Sequence, residues 1–117
     1  MSKAATSMVV FGVYLVVIGL GFLVVPNFPL GLFGLAETSE PYIRIVGMLL
    51  LILAYYYIRA GRAELMPLFM WTVHARAAVI LFFIAFALLD LAEPVLILFG
   101  VVDLAAAVWT YLALRST

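Results

Sequence analysis

The chain has 117 residues, of which 69% are hydrophobic and 10% are charged, and its mean hydropathy is +1.34. A soluble domain has about 45–50% apolar and about 25% charged residues, so this composition excludes an ordinary soluble domain and indicates an integral membrane protein. Six acidic residues balance six basic ones, so no net charge attracts a nucleic acid, and the absence of cysteine excludes disulfides, thiol redox chemistry and thiolate metal sites.

Four apolar segments are long enough to cross a bilayer as helices, since about 20 such residues span a hydrocarbon core of about 30 Å. Helices are required because lipid cannot satisfy unpaired backbone groups. We predict one all-α domain over residues 1–117, a polytopic membrane protein with four transmembrane helices in an antiparallel bundle. The predicted spans are 5–25, 41–60, 67–89 and 94–114.

The first span is interpreted as a retained helix and not as a signal peptide. The apolar run from Met8 to Val25 is longer than the apolar region of a signal peptide, and no small-residue cleavage pattern closes it. Each of the other three spans has a proline at or near its start, where the missing N–H is harmless. These prolines are Pro41, Pro67 and Pro94.

The first loop, residues 26–40, contains the apolar stretch LGLFGL. This stretch is too hydrophobic to stay in water and too short to span a membrane. We expect it to lie in the outer interface or to fold back over the helices. A structural flap is favoured over a functional lid.

The basic residues predict the orientation of the chain. Arg44 falls toward one side of the membrane together with four carboxylates, and the other basic residues fall toward the opposite side. By the positive-inside rule, both termini then lie in the cytoplasm. The residues on the predicted cytoplasmic side are Lys3, Arg59, Arg62, Arg76 and Arg115.

Small residues mark the faces along which membrane helices approach closely. Gly12 and Gly19 share a stripe of the first span, and Gly47 lies on the corresponding face of the second, together with Arg44 and Tyr55. We predict close packing at four glycines. They are Gly12, Gly19, Gly47 and Gly100.

The polar residues of the last two spans are assigned to faces in the same way. In the fourth span, Gly100, Asp103 and Thr110 share one small-residue face. In the third span, His74 aligns with alanines and is expected to face inward, whereas Arg76 lies about 200° around the helix from it.

Asp103 is the one charged residue between Pro94 and Leu114. A charge at bilayer depth costs roughly 2.5–3.5 kcal/mol on insertion scales, and it pairs inside a bundle or lines a cavity. Side chains lean toward the N-terminus of their helix, and the second and fourth helices both begin on the outer side. We therefore predict that Asp103 pairs with Arg44, with Arg76 as the competing cation.

Two interpretations of this polar centre stay open. In the first it is a structural clasp, with hydrogen bonds from Tyr14, Tyr55 or Thr110 and with His74 satisfied by a backbone carbonyl. In the second the same groups line a pocket for a small lipophilic or anionic ligand. The sequence contains no nucleophile elbow, phosphate loop or metal-ligand cluster, so we expect no catalytic residue, metal, cofactor or enzymatic activity.

Three stretches resemble small bacterial four-span membrane proteins of the DoxX-like kind: PNFPLGLFGL, YIRIVGMLLLILAYYYIRAGR and LILFGVVDLAAAVWTYLALR. The most specific points are RIVG, with Arg44 and Gly47, and FGVVD, with Asp103. The resemblance implies a four-helix bundle in the bacterial inner membrane and these three residues as pocket residues. Some proteins of this kind are subunits of quinone-linked oxidoreductases, but no cysteine-based chemistry carries over to this chain.

We therefore expect a small multi-pass protein of the bacterial inner membrane, in contact with membrane lipids. Its expected role is that of a binding or accessory protein, as a homo-oligomer or within a larger membrane complex. The alternative is a minimal oligomeric transporter or channel in which Asp103 titrates.

Overall fold

The computed structural model describes residues 1–116, and this part of the chain is helical with no strand. Its elements are α1 (Lys3–Val24), α2 (Asn27–Leu32), α3 (Pro41–Arg62), α4 (Met66–Leu88) and α5 (Leu96–Arg115). All except α2 are long and apolar enough to cross a membrane. The predicted all-α class with four spans is confirmed, and the four helices indicate a multi-pass membrane protein.

The helices fall into two compact units. Unit 1 contains Met1–Met8 and Ala60–Thr117, and therefore the first turns of α1 together with α4 and α5. Unit 2 contains Val9–Arg59, and therefore the rest of α1 with α2 and most of α3. The single domain predicted over residues 1–117 stays a prediction.

In unit 2, α1 and α3 run antiparallel and touch through glycines. A Cβ atom on Gly47 would lie 2.6 Å from the backbone nitrogen of Leu23 and 2.7 Å from the carbonyl oxygen of Gly19. A Cβ atom on Gly12 would lie 3.3 Å from the carbonyl oxygen of Ala54. The two backbones approach so closely that no side chain fits between them, as in other membrane helix pairs with small residues at the contact.

One ring of the tyrosine triplet 55–57 enters the interior of unit 2, and it belongs to Tyr57. Tyr57 is buried with its ring centroid 5.0 Å from that of Phe11, whereas Tyr55 is 58% exposed. The predicted inward position of Tyr55 is wrong because Tyr57, three positions after the buried Ala54, shares its face, and Tyr55 lies about 100° around the helix. The Tyr55 ring instead lies 5.8 Å from the Arg59 guanidinium.

The loop between α1 and α3 begins with α2, which folds back against α1. Pro29 and Leu30 are buried, while Phe28 and Leu32 are each 68% exposed. A Cβ atom on Gly21 of α1 would lie 3.4 Å from the Pro29 ring, which is an ordinary contact distance. The short helix α2 therefore contacts α1 through Pro29, which favours the fold-back alternative for this loop over the interfacial one.

In unit 1, α4 and α5 run antiparallel, and a glycine again sets the closest approach. A Cβ atom on Gly100 would lie 2.8 Å from the Cα atom of Ile80. All four glycines predicted as close-packing positions thus lie at helix contacts. At this closest approach the small residue belongs to α5, and α4 contributes the larger Ile80.

The inward face of α4 differs from the predicted one. Its buried residues are Phe69, Val73 and Arg76, whereas His74 is exposed. The predicted inward position of His74 is therefore wrong. The small side chains of α5 already provide the space for close packing, so α4 does not need to turn its alanines inward, and its large residues fill that space.

Candidate functional site

Arg76 is the largest fully buried side chain among the described residues, with 2% of its surface exposed. At 1.5 Å per residue it lies about 15 Å along α4 from Met66, near the middle of the span. A charged side chain at this depth is stabilised only by partners inside the protein. The surroundings of Arg76 are therefore the first candidate site.

The Arg76 guanidinium is held by hydroxyl and carbonyl groups. Its Nη2 donates to Thr110 Oγ1 at 3.0 Å and to Thr72 Oγ1 at 3.1 Å. Its Nε donates to the Thr72 carbonyl oxygen at 3.3 Å, and the Met8 sulfur lies 3.7 Å from Nη2. These contacts join the first turns of α1 to α4 and α5.

From Arg76 the hydrogen bonds continue through Thr110 to Ser7 at the start of α1. Ser7 Oγ donates to the Ala4 carbonyl oxygen at 2.6 Å, and Ser7 Oγ and Thr110 Oγ1 are 2.6 Å apart. Since a hydroxyl has one proton, the Thr110 hydroxyl donates to Ser7 and accepts from Arg76. Ser7 and Thr110 are fully buried, and both hydroxyls are satisfied, which is what a stabilising network requires. We call Arg76, Thr72, Thr110 and Ser7 the Arg76 network.

Asp103 lies on α5 two turns before Thr110 and is half-buried. Arg76 is close enough to act electrostatically on its carboxylate. This favours Arg76, the competing cation in the sequence-based prediction, as the cationic neighbour of Asp103. The predicted Asp103–Arg44 pair joins residues of different units and stays a prediction.

A second polar contact ties the start of the chain to the loop before α4. The Ser2 backbone N–H donates to Glu64 Oε2 at 2.7 Å, and the Ser2 hydroxyl donates to Glu64 Oε1 at 2.6 Å. These hydrogen bonds hold the pKa of Glu64 below its ordinary value. Glu64 has a positive φ of 55°, which is uncommon for a residue with a side chain. We call this contact the Ser2–Glu64 clasp.

The Ser2–Glu64 clasp is expected to open in acid. Because the pKa of Glu64 is lowered by folding, the clasp contributes stability above the ordinary glutamate pKa, and this contribution disappears as the pH falls through the folded value. Hydrogen exchange of the Ser2 amide should accelerate relative to its intrinsic rate over that pH window. In Glu64→Gln we expect weak protection with no pH dependence; equal, pH-dependent protection in both proteins would contradict the assignment.

A cavity of about 340 Å³ lies in unit 2, where α1 ends and α3 begins. Its polar lining residues are Asn27, Thr38, Ser39, Glu40 and Arg44. The Asn27 Oδ1 atom accepts from the Thr38 N–H at 2.9 Å, and the Thr38 hydroxyl oxygen accepts from the Glu40 N–H at 3.1 Å. The loop that forms the wall is thereby held by its own side chains. We call this space the Arg44 cavity.

Arg44 is fixed in this cavity by the end of α1. Its Nη1 donates to the carbonyl oxygens of Leu23 and Val24. These carbonyls carry the negative end of the helix dipole, which a cation stabilises. Among residues 1–116, no hydrogen bond or ion pair engages the remaining Arg44 donors, Nε and Nη2. Arg44 is thus an oriented cation with donors left for a ligand.

The other predicted site residues do not belong to the polar site of their own unit. Tyr14 is half-buried, with its ring centroid 5.6 Å from that of Phe11. His74 and Tyr55 are exposed. No group of three or more metal-ligating side chains occurs in the part of the chain that the structure describes. Within unit 1, Thr110 therefore joins Arg76, and the exposed His74 does not.

Sequence reasoning missed Ser7 and Thr72 and ranked Arg76 second. One signal was available, because Thr72 and Arg76 are four positions apart and so share a helix face. Ser7 and Thr110, which belong to other spans, carry hydroxyl groups that could accept hydrogen bonds within the network of a buried guanidinium. The Ser2–Glu64 clasp has no comparable signal, since it joins residues 62 positions apart.

Comparison with known proteins gives no assignment. No family model matches the chain, and neither a curated protein nor a solved structure matches it. The resemblance to the DoxX-like kind therefore stays a prediction carried by its motifs. The fold and the two polar sites carry the functional argument.

Proposed function

We propose that this chain is a small membrane-embedded binding protein that holds the polar head group of an amphiphile in the Arg44 cavity. The observation that carries the proposal is an arginine fixed by the end of α1 and lining a cavity of about 340 Å³. This volume is at the small end of the range for ligand pockets, about 300–1,000 Å³. It suits a head group better than a whole lipid.

The ligand class follows from the charges in the cavity. Arg44 can donate two hydrogen bonds to a phosphate or carboxylate. Glu40 lines the same cavity, so its charge opposes a ligand with several negative charges and favours one that also carries an ammonium group. We therefore propose a zwitterionic head group such as phosphoethanolamine.

The position of the cavity supports an amphiphile over a water-soluble ligand. The cavity lies at the end of one predicted span and the start of another, where the head groups of a bilayer lie. Phe28 lines the cavity and is 68% exposed, so it offers an apolar surface to the part of the ligand below the head group. A binding role, not a catalytic one, fits this lining.

The Arg76 network is assigned a structural role in this proposal. Its hydroxyls use their protons within the protein, so a ligand would have to break existing hydrogen bonds. We place both termini in the cytoplasm because of the distribution of the basic residues, and we place the protein in the bacterial inner membrane because of its resemblance to the DoxX-like kind. A transporter in which Asp103 titrates is the competing hypothesis, and it requires loss of transport in Asp103→Asn.

The proposal is tested by lipid retention. Arg44→Gln is expected to reduce the phosphatidylethanolamine bound to the purified protein about tenfold or more, because charge-assisted hydrogen bonds contribute about 1.5–3 kcal/mol. Native mass spectrometry of protein released from mixed-lipid nanodiscs measures the bound lipid. Arg62→Gln is the matched control, since Arg62 is exposed at the end of α3 and does not line the cavity.

A second variant separates binding from folding. Glu40 contributes a backbone N–H, and not its carboxylate, to the loop, so Glu40→Gln should preserve the fold. We expect its preference to shift from phosphatidylethanolamine toward phosphatidylglycerol. Equal retention of phosphatidylethanolamine by wild type, Arg44→Gln and Arg62→Gln would overturn the proposal.

A further inference from the structure

A groove of about 360 Å³ lies in unit 1, between the start of α1 and the end of α5. Its lining residues are Lys3, Thr6, Trp109, Leu112, Ala113 and Ser116. We call it the Lys3 groove. It is separate from the Arg44 cavity in both its residues and its unit.

The Lys3 groove lies at the level of the membrane surface. Lys3 is the first residue of α1, and Ser116 follows the last residue of α5, so both spans end here. Trp109 and Leu112 are 43% and 57% exposed and lie deeper along α5. Tryptophan is enriched at this level because its ring is apolar and its N–H is polar. The groove therefore has a polar end at the surface and an apolar wall along the hydrocarbon.

The ionisable side chain that lines the groove is a cation, and the nearby Glu64 carboxylate is engaged by Ser2. Among the lining residues that the structure describes, Lys3 is the ionisable one, and within residues 1–116 no ion pair or hydrogen bond engages its ammonium group. Arg115 adjoins the lining residue Ser116 and lies over the Tyr111 ring at 5.8 Å. No side-chain carboxylate occurs among the described lining residues, so the groove differs from the Arg44 cavity, where Glu40 opposes an anion.

The hydroxyls of the groove leave Lys3 as the main donor. Thr6 Oγ1 donates to the Ser2 carbonyl oxygen at 3.1 Å, and Ser116 Oγ donates to the Ala113 carbonyl oxygen at 2.9 Å. Their protons are therefore used within the protein. The Lys3 ammonium and the Trp109 N–H are the donors that remain for a ligand.

We propose that the Lys3 groove binds the phosphate of an anionic membrane lipid, with Lys3 as the cation and Trp109 and Leu112 against the lipid chain. The apolar wall favours a lipid over free phosphate, which would gain nothing from it. The interaction at Lys3 is electrostatic and close to water, so added salt weakens it. A phosphatidylglycerol head group has the required chemistry.

The test uses Trp109 as the probe, in protein carrying Trp71→Phe so that one tryptophan remains. The full chain is reconstituted in vesicles with either brominated phosphatidylglycerol or brominated phosphatidylcholine, and quenching of Trp109 fluorescence is measured. We expect a preference of about fivefold for phosphatidylglycerol, since a basic residue near an anionic surface contributes on this scale. In Lys3→Gln the two lipids should quench equally.

Arg62→Gln, which changes a basic residue outside the groove, should keep the preference. Equal quenching by both lipids in the protein that retains Lys3 would overturn the proposal. A preference for phosphatidylglycerol that survives in Lys3→Gln would also overturn it. Reversal of the preference by inorganic phosphate at constant ionic strength would identify a free-anion site and contradict the lipid assignment. Since Lys3→Gln leaves the Arg44 cavity unchanged, its outcome is independent of phosphatidylethanolamine retention.

Discussion

Gly47→Ala is expected to destabilise the protein by about 2 kcal/mol or more. The new Cβ atom would lie 2.6 Å from the Leu23 nitrogen and 2.7 Å from the Gly19 carbonyl oxygen. Both atoms belong to backbone, so no rotamer change relieves the clash, and α1 and α3 must separate. Overpacking costs about 1–3 kcal/mol and occasionally more, while alanine regains up to about 1 kcal/mol of helix propensity.

Unfolding of the purified protein in mixed micelles of increasing SDS content measures this loss. Gly31→Ala is the control, because a Cβ atom on Gly31 meets nothing within 4 Å, and its stability should be unchanged or slightly raised. Gly21→Ala adds a second control, with an ordinary contact of 3.4 Å to Pro29. If Gly47→Ala is as stable as both controls, the close contact of α1 and α3 is wrong.

Arg76→Ala is expected to lower the free energy of unfolding by about 3–5 kcal/mol, the cost of removing one partner from a buried charged network. The substitution removes the donor to Thr110 and Thr72 and leaves a cavity. It also removes the charge that acts on Asp103. Thermal unfolding in detergent, followed by circular dichroism, measures the loss.

Smaller substitutions separate the loss of hydrogen bonds in the Arg76 network from the packing void that Arg76→Ala creates. Thr110→Val keeps the volume and removes the buried hydroxyl, so it should cost about 1–3 kcal/mol. Thr6→Val removes an exposed hydroxyl of α1 and should cost little. Equal losses in the two variants would show that the network adds nothing to stability.

The charge interaction is tested by a double-mutant cycle of Arg76→Met and Asp103→Asn. We expect the double variant to be more stable than the sum of the single losses predicts, with a coupling of about 0.5–3 kcal/mol. The same cycle with Arg44→Gln and Asp103→Asn tests the pair predicted from the sequence. Additive losses for Arg76 and Asp103 would show that they are not partners.

The spans could be predicted from the sequence because membrane crossing constrains composition strongly. The α3 helix begins at Pro41 as predicted, and α4 ends at Leu88, one residue before the predicted end. The glycine contact between α1 and α3 could also be predicted, because both helices carry its signal. In each, glycines or alanines recur at seven-residue spacing on the face that is buried.

The inward face of α4 could not be predicted by the same rule. Close approach needs small residues on one helix only, and here α5 supplies them at Gly100. The alanines of α4 therefore indicate the wrong face, which places His74 inside and ranks Arg76 second. A small-residue pattern on a single helix does not reveal which partner helix provides the space.

The candidate sites depend on contacts between distant parts of the chain. Ser7 and Thr110 are 103 positions apart, and single hydroxyls in apolar helices carry no pattern that pairs them. Arg44 was identified as a candidate, but its anchoring by the end of α1 depends on how the loop at residues 26–40 returns the chain to α3. Helix periodicity contains no information on that return.

The most direct test of a binding site at Arg44 and a structural centre at Arg76 is the phosphatidylethanolamine retained by Arg44→Gln and Thr110→Val under identical native mass spectrometry conditions. Arg44→Gln should lose about tenfold or more of the bound lipid, and Thr110→Val, although less stable, should retain it at the wild-type level. Loss of lipid from Thr110→Val with full retention in Arg44→Gln would contradict this assignment and place the ligand at the Arg76 network.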